Sequence, residues 1–175
     1  MRVVITIILL PLVTAAPGFA FELKSSAFGQ NASIPRTHSC DGPDRSPPLR
    51  WAEPPAGAKS YALVVEDPDA GSGTWVHWVL YAIPASSRQL SEGVSKRETV
   101  AGTGTQGLND FKKVGWGGPC PPPGPAHRYI FTLYALDADP ALPPGKTKAD
   151  LQAAMEGHIL GQAELIGRFQ SRGGR

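Results

Sequence analysis

Proline and glycine cut this chain into short pieces, and that limits what it can become. There are 20 glycines and 18 prolines in 175 residues. They fall at intervals rather than in one low-complexity tract. Proline removes a backbone donor and fixes φ, and glycine weakens regular structure, so few segments are left long enough for a helix. Between these stops lie runs rich in β-branched and aromatic residues. Ser60-Tyr61-Ala62-Leu63-Val64-Val65-Glu66 ends at Asp67-Pro68, and Val76 to Ile83 ends at Pro84. Tyr129 to Leu136 is a third run, and Phe21 to Ser26 a shorter one. Many short strands joined by tight turns is the reading this pattern supports, hence a mainly β domain.

One helix is predicted, and it lies late. Thr147 followed by Asp150 approximates a capping box, and Leu151, Met155 and Ile159 recur at four-residue spacing. The helix is expected to run toward Leu160. Gln162 to Phe169 reads as a final strand of poor period, with Ala163, Leu165 and Gly167 on one side. Ser86 to Phe111 is polar and carries four glycines, which predicts a long surface excursion.

The first twenty residues read as a secretory leader. Arg2 precedes an apolar stretch from Val3 to Val13, too short to span a bilayer, and Gly18-Phe19-Ala20 supplies small residues before a cut at Phe21. Thr14-Ala15-Ala16 offers a second cut. The domain is then residues 21–170, with 171–175 a disordered tail. No second apolar span follows, so no transmembrane segment is expected. Without the leader the chain holds 16 basic and 15 acidic residues. No basic stripe stands out, which argues against a nucleic-acid partner.

Export also frames the two cysteines. An even pair in a secreted chain predicts a Cys40–Cys120 disulfide; two separate buried thiols are the alternative. Asn31-Ala32-Ser33 is a glycosylation sequon, relevant where the host modifies exported proteins.

Two stretches can carry chemistry. In the first, Asp67-Pro68-Asp69-Ala70 precedes Trp75-Val76-His77-Trp78. Proline holds the Asp67 carboxylate in a set direction, through a fixed φ or a cis bond, where it can accept from a histidine or a ligand. An ordinary turn with a local Asp acceptor is the plainer account. Strand alternation puts His77 with Val79 and Tyr81, opposite Trp78 and Leu80. The second stretch is Gly117-Gly118-Pro119-Cys120-Pro121-Pro122-Pro123, followed by His127-Arg128-Tyr129. Glycine lets a backbone approach a ligand and consecutive prolines make a stiff wall. His127 and Tyr129 share a face if the strand has begun there. A histidine and a phenol as donors, with backbone N–H groups nearby, would suit an oxyanion. Asp67, His77 and His127 as a metal site is a weaker reading, since no clustered spacing supports it. No nucleophile elbow, phosphate-binding glycine loop or Cys-x-x-Cys pair occurs. No cofactor is called for, and a non-enzymatic protein is expected.

Taken in order, these motifs resemble one family. Asp67-Pro68-Asp69-Ala70, Trp75-Val76-His77-Trp78-Val79, Gly118-Pro119-Cys120-Pro121-Pro122 and His127-Arg128-Tyr129 are similar to the phosphatidylethanolamine-binding proteins, in the bacterial Raf-kinase-inhibitor-like branch. Cys40-Asp41-Gly42, Ser46-Pro47-Pro48-Leu49-Arg50-Trp51, Pro55-Ala56-Gly57-Ala58-Lys59-Ser60 and Asn109-Asp110-Phe111 extend the resemblance over residues 21–169. It implies a large antiparallel sheet packed on a smaller one, with a C-terminal helix. It also implies a shallow pocket for a small anion or phospholipid head group, at Asp67, His77, Gly118, Pro119, His127 and Tyr129. Inhibition of a protease or kinase through the pocket rim is the alternative role. Gly71 stands where many members carry proline, and Lys112-Lys113 where a glycine is usual, which adds positive charge near the loop. The pocket helix of eukaryotic members has no residue-by-residue match here.

Overall fold

A computed structural model of the chain describes residues 21–71 and 73–172. The expected leader and residues 173–175 of the tail lie outside the described residues. Ser171 and Arg172 follow the last strand without regular structure. No helix among the described residues is long and apolar enough to cross a membrane.

The runs between prolines are strands. In chain order they are β1 (Glu22–Lys24), β2 (Leu49–Ala52), β3 (Ser60–Asp67), β4 (Trp75–Pro84), β5 (Gln89–Leu90), β6 (Thr99–Val100), β7 (Gly104–Gln106), β8 (His127–Leu136) and, after helix α1 (Lys148–Met155), β9 (Ile159–Phe169). The smaller sheet has the order β1-β2-β5, the larger β6-β7-β4-β3-β8-β9. Every strand pairing within them is antiparallel.

β3 lies inside the larger sheet and is buried on both faces, which accounts for its unbroken apolar run. Tyr61, Leu63 and Val65 join Phe131 and Leu133 of β8 in a core shared with Leu23, Leu49, Trp51 and Leu90 of the smaller sheet. Ala62 and Val64 pack with Val79 and Tyr81 of β4 and with Leu151 and Met155 of α1. Each such side chain, fully buried, contributes about 1.5–3 kcal/mol of transfer free energy.

Three expectations need correction. The helix stops at Met155, not near Leu160. Thr147 and Asp150 cap its start reciprocally, but Gly157 turns at φ 78°, and Ile159 pairs with Leu136 of β8. Ile159 is consequently 47% exposed rather than part of the apolar helix face. Secondly, the segment from Ser86 to Phe111 is not simply a surface excursion. It supplies β5, β6 and β7, and Gln106 within it is fully buried. That amide accepts from Trp78 Nε1 at 2.8 Å and donates to the carbonyls of Ser95 and Arg97, each at 2.6 Å. Thirdly, the described peptide bonds are all trans, so no cis proline aims Asp67. The poor period of β9 also has a cause. Gly167 sits on its apolar face because Ile34 fills the space, 2.5 Å from where a Cβ would stand.

Candidate anion cavity

Asp67 ends β3 on the same face as Val65, and His127 and Tyr129 open β8 on the face of Phe131. Val65 pairs with Phe131 across the two strands, so register brings all three side chains together. Asp67 is buried, and both carboxylate oxygens are engaged. Oδ1 accepts from the Asp69 amide at 2.8 Å, an Asx turn that fixes the direction of the carboxylate. Oδ2 accepts from His127 Nδ1 at 2.8 Å.

His77 reaches the same place through a β-bulge. Val76 pairs with Glu66 and Trp78 with Val65, so His77 is an extra residue with no partner on β3. Strict alternation placed it with Val79 and Tyr81; instead it lies on the Trp78 side, edge-on to Tyr129 at 5.1 Å and to Phe111 at 5.3 Å. Its Nδ1 is 2.6 Å from the Gly117 carbonyl, while the Gly117 amide donates back to the His77 carbonyl at 3.0 Å. A carbonyl only accepts, so Nδ1 carries the hydrogen. Burial lowers the imidazole pKa and favours the neutral ring. In that tautomer Nε2 is a lone-pair acceptor.

These groups line a cavity of about 470 Å³ with Asp69, Ala70, Gly71, Trp75 and Phe111, and with Cys120, Pro121 and Pro122 as the proline wall. Gly118 and Pro119 stand behind that wall rather than in it. The Gly118 amide donates to Asp44 Oδ1 at 2.7 Å, and a Cβ there would lie 2.4 Å from the His38 carbonyl oxygen. Pro119 accepts from the Cys40 amide at 3.1 Å. The disulfide joins Cys40 to Cys120 across a Cα separation of 5.4 Å, so the wall is tied from the back.

Two donors in the cavity lining are buried without a hydrogen-bond partner: Tyr129 Oη and Trp75 Nε1. The phenol lies near Asp67 and the Cys120 backbone without reaching bonding geometry with either. Burial, then the charge of Asp67, pushes its pKa far up, so it stays a donor. Asp69, outside the expected set, forms a two-point ion pair with Arg128, through Nε at 2.9 Å and Nη2 at 2.7 Å. These bonds hold the Asp69 carboxyl down at about 2. They tie the turn after β3 to the start of β8. The neighbours Asp67 and His127 were the available signal for this pair. No group of three His, Cys, Asp or Glu among the described residues is arranged to hold a metal.

The family model described as phosphatidylethanolamine-binding protein matches residues 24–170. A UPF0098 protein of Methanothermobacter thermautotrophicus is 48% identical over 149 residues, 85% of this chain and 98% of that protein. The crystal structure of the PEBP homolog CT736 from Chlamydia trachomatis superposes with a TM-score of 0.79 at 39% identity, covering 87% of this chain and 98% of that one. Escherichia coli YbcL, a member of the mammalian PEBP family, gives 0.80 at 31% identity, covering 87% and 99%. Sheet order, disulfide-backed wall and motif order thus accompany similarity over almost the whole described chain, which belongs to the phosphatidylethanolamine-binding protein family.

Proposed function

We propose that this protein is an exported, non-catalytic binder of a small oxyanion, a phosphate or a phosphorylated head group, held between His77 and His127. The observation that carries this reading is the state of the hydrogen-bonding groups. Both imidazoles commit Nδ1 to a fixed acceptor, and Tyr129 keeps an unpartnered hydroxyl in the same cavity. Nε2 of each ring is then the nitrogen left for a ligand. His127 faces the Asp67 carboxylate through Nδ1 at 2.8 Å, and a doubly protonated imidazole in that position donates Nε2–H to an anion as a charge-assisted bond. A buried hydroxyl with no partner is costly unless something fills the cavity to meet it.

Absence of chemistry fits the same set. The Asp67–His127 pair has no thiol to activate, since Cys40 and Cys120 are joined in the disulfide. The disulfide and the apolar run of residues 3–13 both favour life outside the cytoplasm. Titration of the folded protein with phosphate and phosphoethanolamine, followed by NMR, tests the reading. Shifts should localise to β4 and β8 and be lost in His127→Ala with the fold intact by circular dichroism. Binding unchanged in that variant removes the cavity from consideration.

A further inference from the structure

We infer that the cavity recognises a proton on its ligand: it takes a phosphate group that still carries a P–OH, and discriminates against an oxyanion of the same shape that carries none. This rests on the reading of the cavity as an oxyanion site. The bond from His77 to the Gly117 carbonyl fixes the tautomer, because a carbonyl has no hydrogen to give. Enclosed between the rings of Tyr129 and Phe111, the imidazole has little water to stabilise a second proton. Nε2 therefore faces a ligand as a lone pair. A bare oxygen opposite it meets repulsion and leaves the nitrogen unsatisfied; a P–OH opposite it forms a hydrogen bond.

The carboxylates around His77 favour a second proton on the ring, but burial is the larger effect and keeps it neutral; the same carboxylates disfavour a highly charged ligand. Asp67 approaches from β3 and Asp110 from the segment after β7, where Asp110 Oδ2 accepts from the Val76 amide. From β8 come Tyr129, which is uncharged, and His127, which is paired with Asp67. No lysine or arginine is among the described lining residues. A ligand of lower charge is accordingly favoured. In the resulting arrangement the P–OH donates to His77 Nε2, while an anionic oxygen accepts from Tyr129 Oη, and from His127 Nε2–H when that ring carries a second proton.

Phosphate and sulfate separate the two cases, since at pH 7 every phosphate ion keeps at least one P–OH and sulfate keeps none. Calorimetric titration of the intact protein should show sulfate weaker than phosphate by about tenfold or more. Methyl phosphate, mostly the dianion without a P–OH at pH 7 because a monoester's second pKa is about 6, should follow sulfate, as should dimethyl phosphate, a diester like a lipid phosphate. His77→Gln, whose amide can turn an N–H₂ toward the ligand, should bring the phosphate-to-sulfate ratio toward one. A measurement independent of variant folding is the ¹⁵N spectrum of the wild-type imidazoles with phosphate bound. It should show His77 protonated at Nδ1 only. Equal affinity for phosphate and sulfate, or a doubly protonated His77, overturns proton recognition while leaving an oxyanion site. Binding of neither ion overturns that site as well.

Discussion

Tyr129→Phe should make the protein more stable and a poorer binder. The ring is fully buried, and its hydroxyl has no hydrogen-bond partner. Leaving such a group unpaired costs about 1–3 kcal/mol. Phenylalanine removes the hydroxyl and can keep the edge contact with His77, 5.1 Å between centroids. For a domain of this size each kcal/mol is worth about 2–4 °C in Tm. Differential scanning calorimetry of the ligand-free protein should therefore show Tm rising by a few degrees. Phosphate affinity should move the other way. A hydrogen bond to a charged partner is worth about 1.5–3 kcal/mol, which predicts about 10- to 150-fold weaker binding by calorimetric titration. Most buried tyrosine hydroxyls behave oppositely, because they are bonded and their removal destabilises. A fall in Tm would mean that the hydroxyl is satisfied in the free protein, and the reasoning above would be wrong. A raised Tm with unchanged phosphate affinity would place the anion elsewhere.

Three further outcomes follow from the same geometry. Replacing both Cys40 and Cys120 by serine opens a loop with a sequence separation of 80 and should cost about 4–5 kcal/mol in urea unfolding; a loss below about 1 kcal/mol would show the wall is held by its backbone bonds alone. Gln106→Leu strands the Trp78 indole and the carbonyls of Ser95 and Arg97, so it should cost about 3 kcal/mol or more despite being a polar-to-apolar change in a core, read from the same unfolding curves. The Asp69 carboxyl, lowered from 3.8 to about 2, contributes stability that is present above pH 3.8 and is lost as pH falls toward 2. With Arg128 46% exposed, screening reduces this to about 0.5–1 kcal/mol, and Asp69→Asn should flatten that acid limb of the Tm–pH curve.

Much of the fold could be read from the sequence because it is written in local signals. Proline stops mark the ends of β3 and β4, and Thr147 with Asp150 marks the start of α1. The end of α1 was not readable in that way. Leu151, Met155 and Ile159 keep helical spacing, but Gly157 takes a left-handed φ and β8 offers backbone partners to the residues beyond. Tertiary pairing outweighed the local period there. Gln106 was hidden for a different reason. A glutamine in a glycine-rich polar segment looks solvated, and only the folded sheet brings Trp78 and two carbonyls to it. For the cavity, Asp67, His127 and Tyr129 follow from strand alternation once β8 starts at His127. Gly118 and Pro119 carry the motif but act from behind, shaping the wall that Pro121 and Pro122 present.

His77 shows where alternation stops being a guide, and why that matters for chemistry. One extra residue in β4 moves a side chain from one face of a sheet to the other, since the strand period is two. Without the bulge His77 would stand among Val79 and Tyr81, in the layer beneath α1, remote from Asp67, His127 and Tyr129. With it, the ring reaches the cavity edge, where Nδ1 bonds the Gly117 carbonyl while the His77 carbonyl accepts from the Gly117 amide. The same displacement therefore sets both the position of the imidazole and the location of its hydrogen. A residue type alone says only that a histidine can donate or accept. Here the bulge decides between the two, and so decides which protonation state of a ligand the cavity can satisfy.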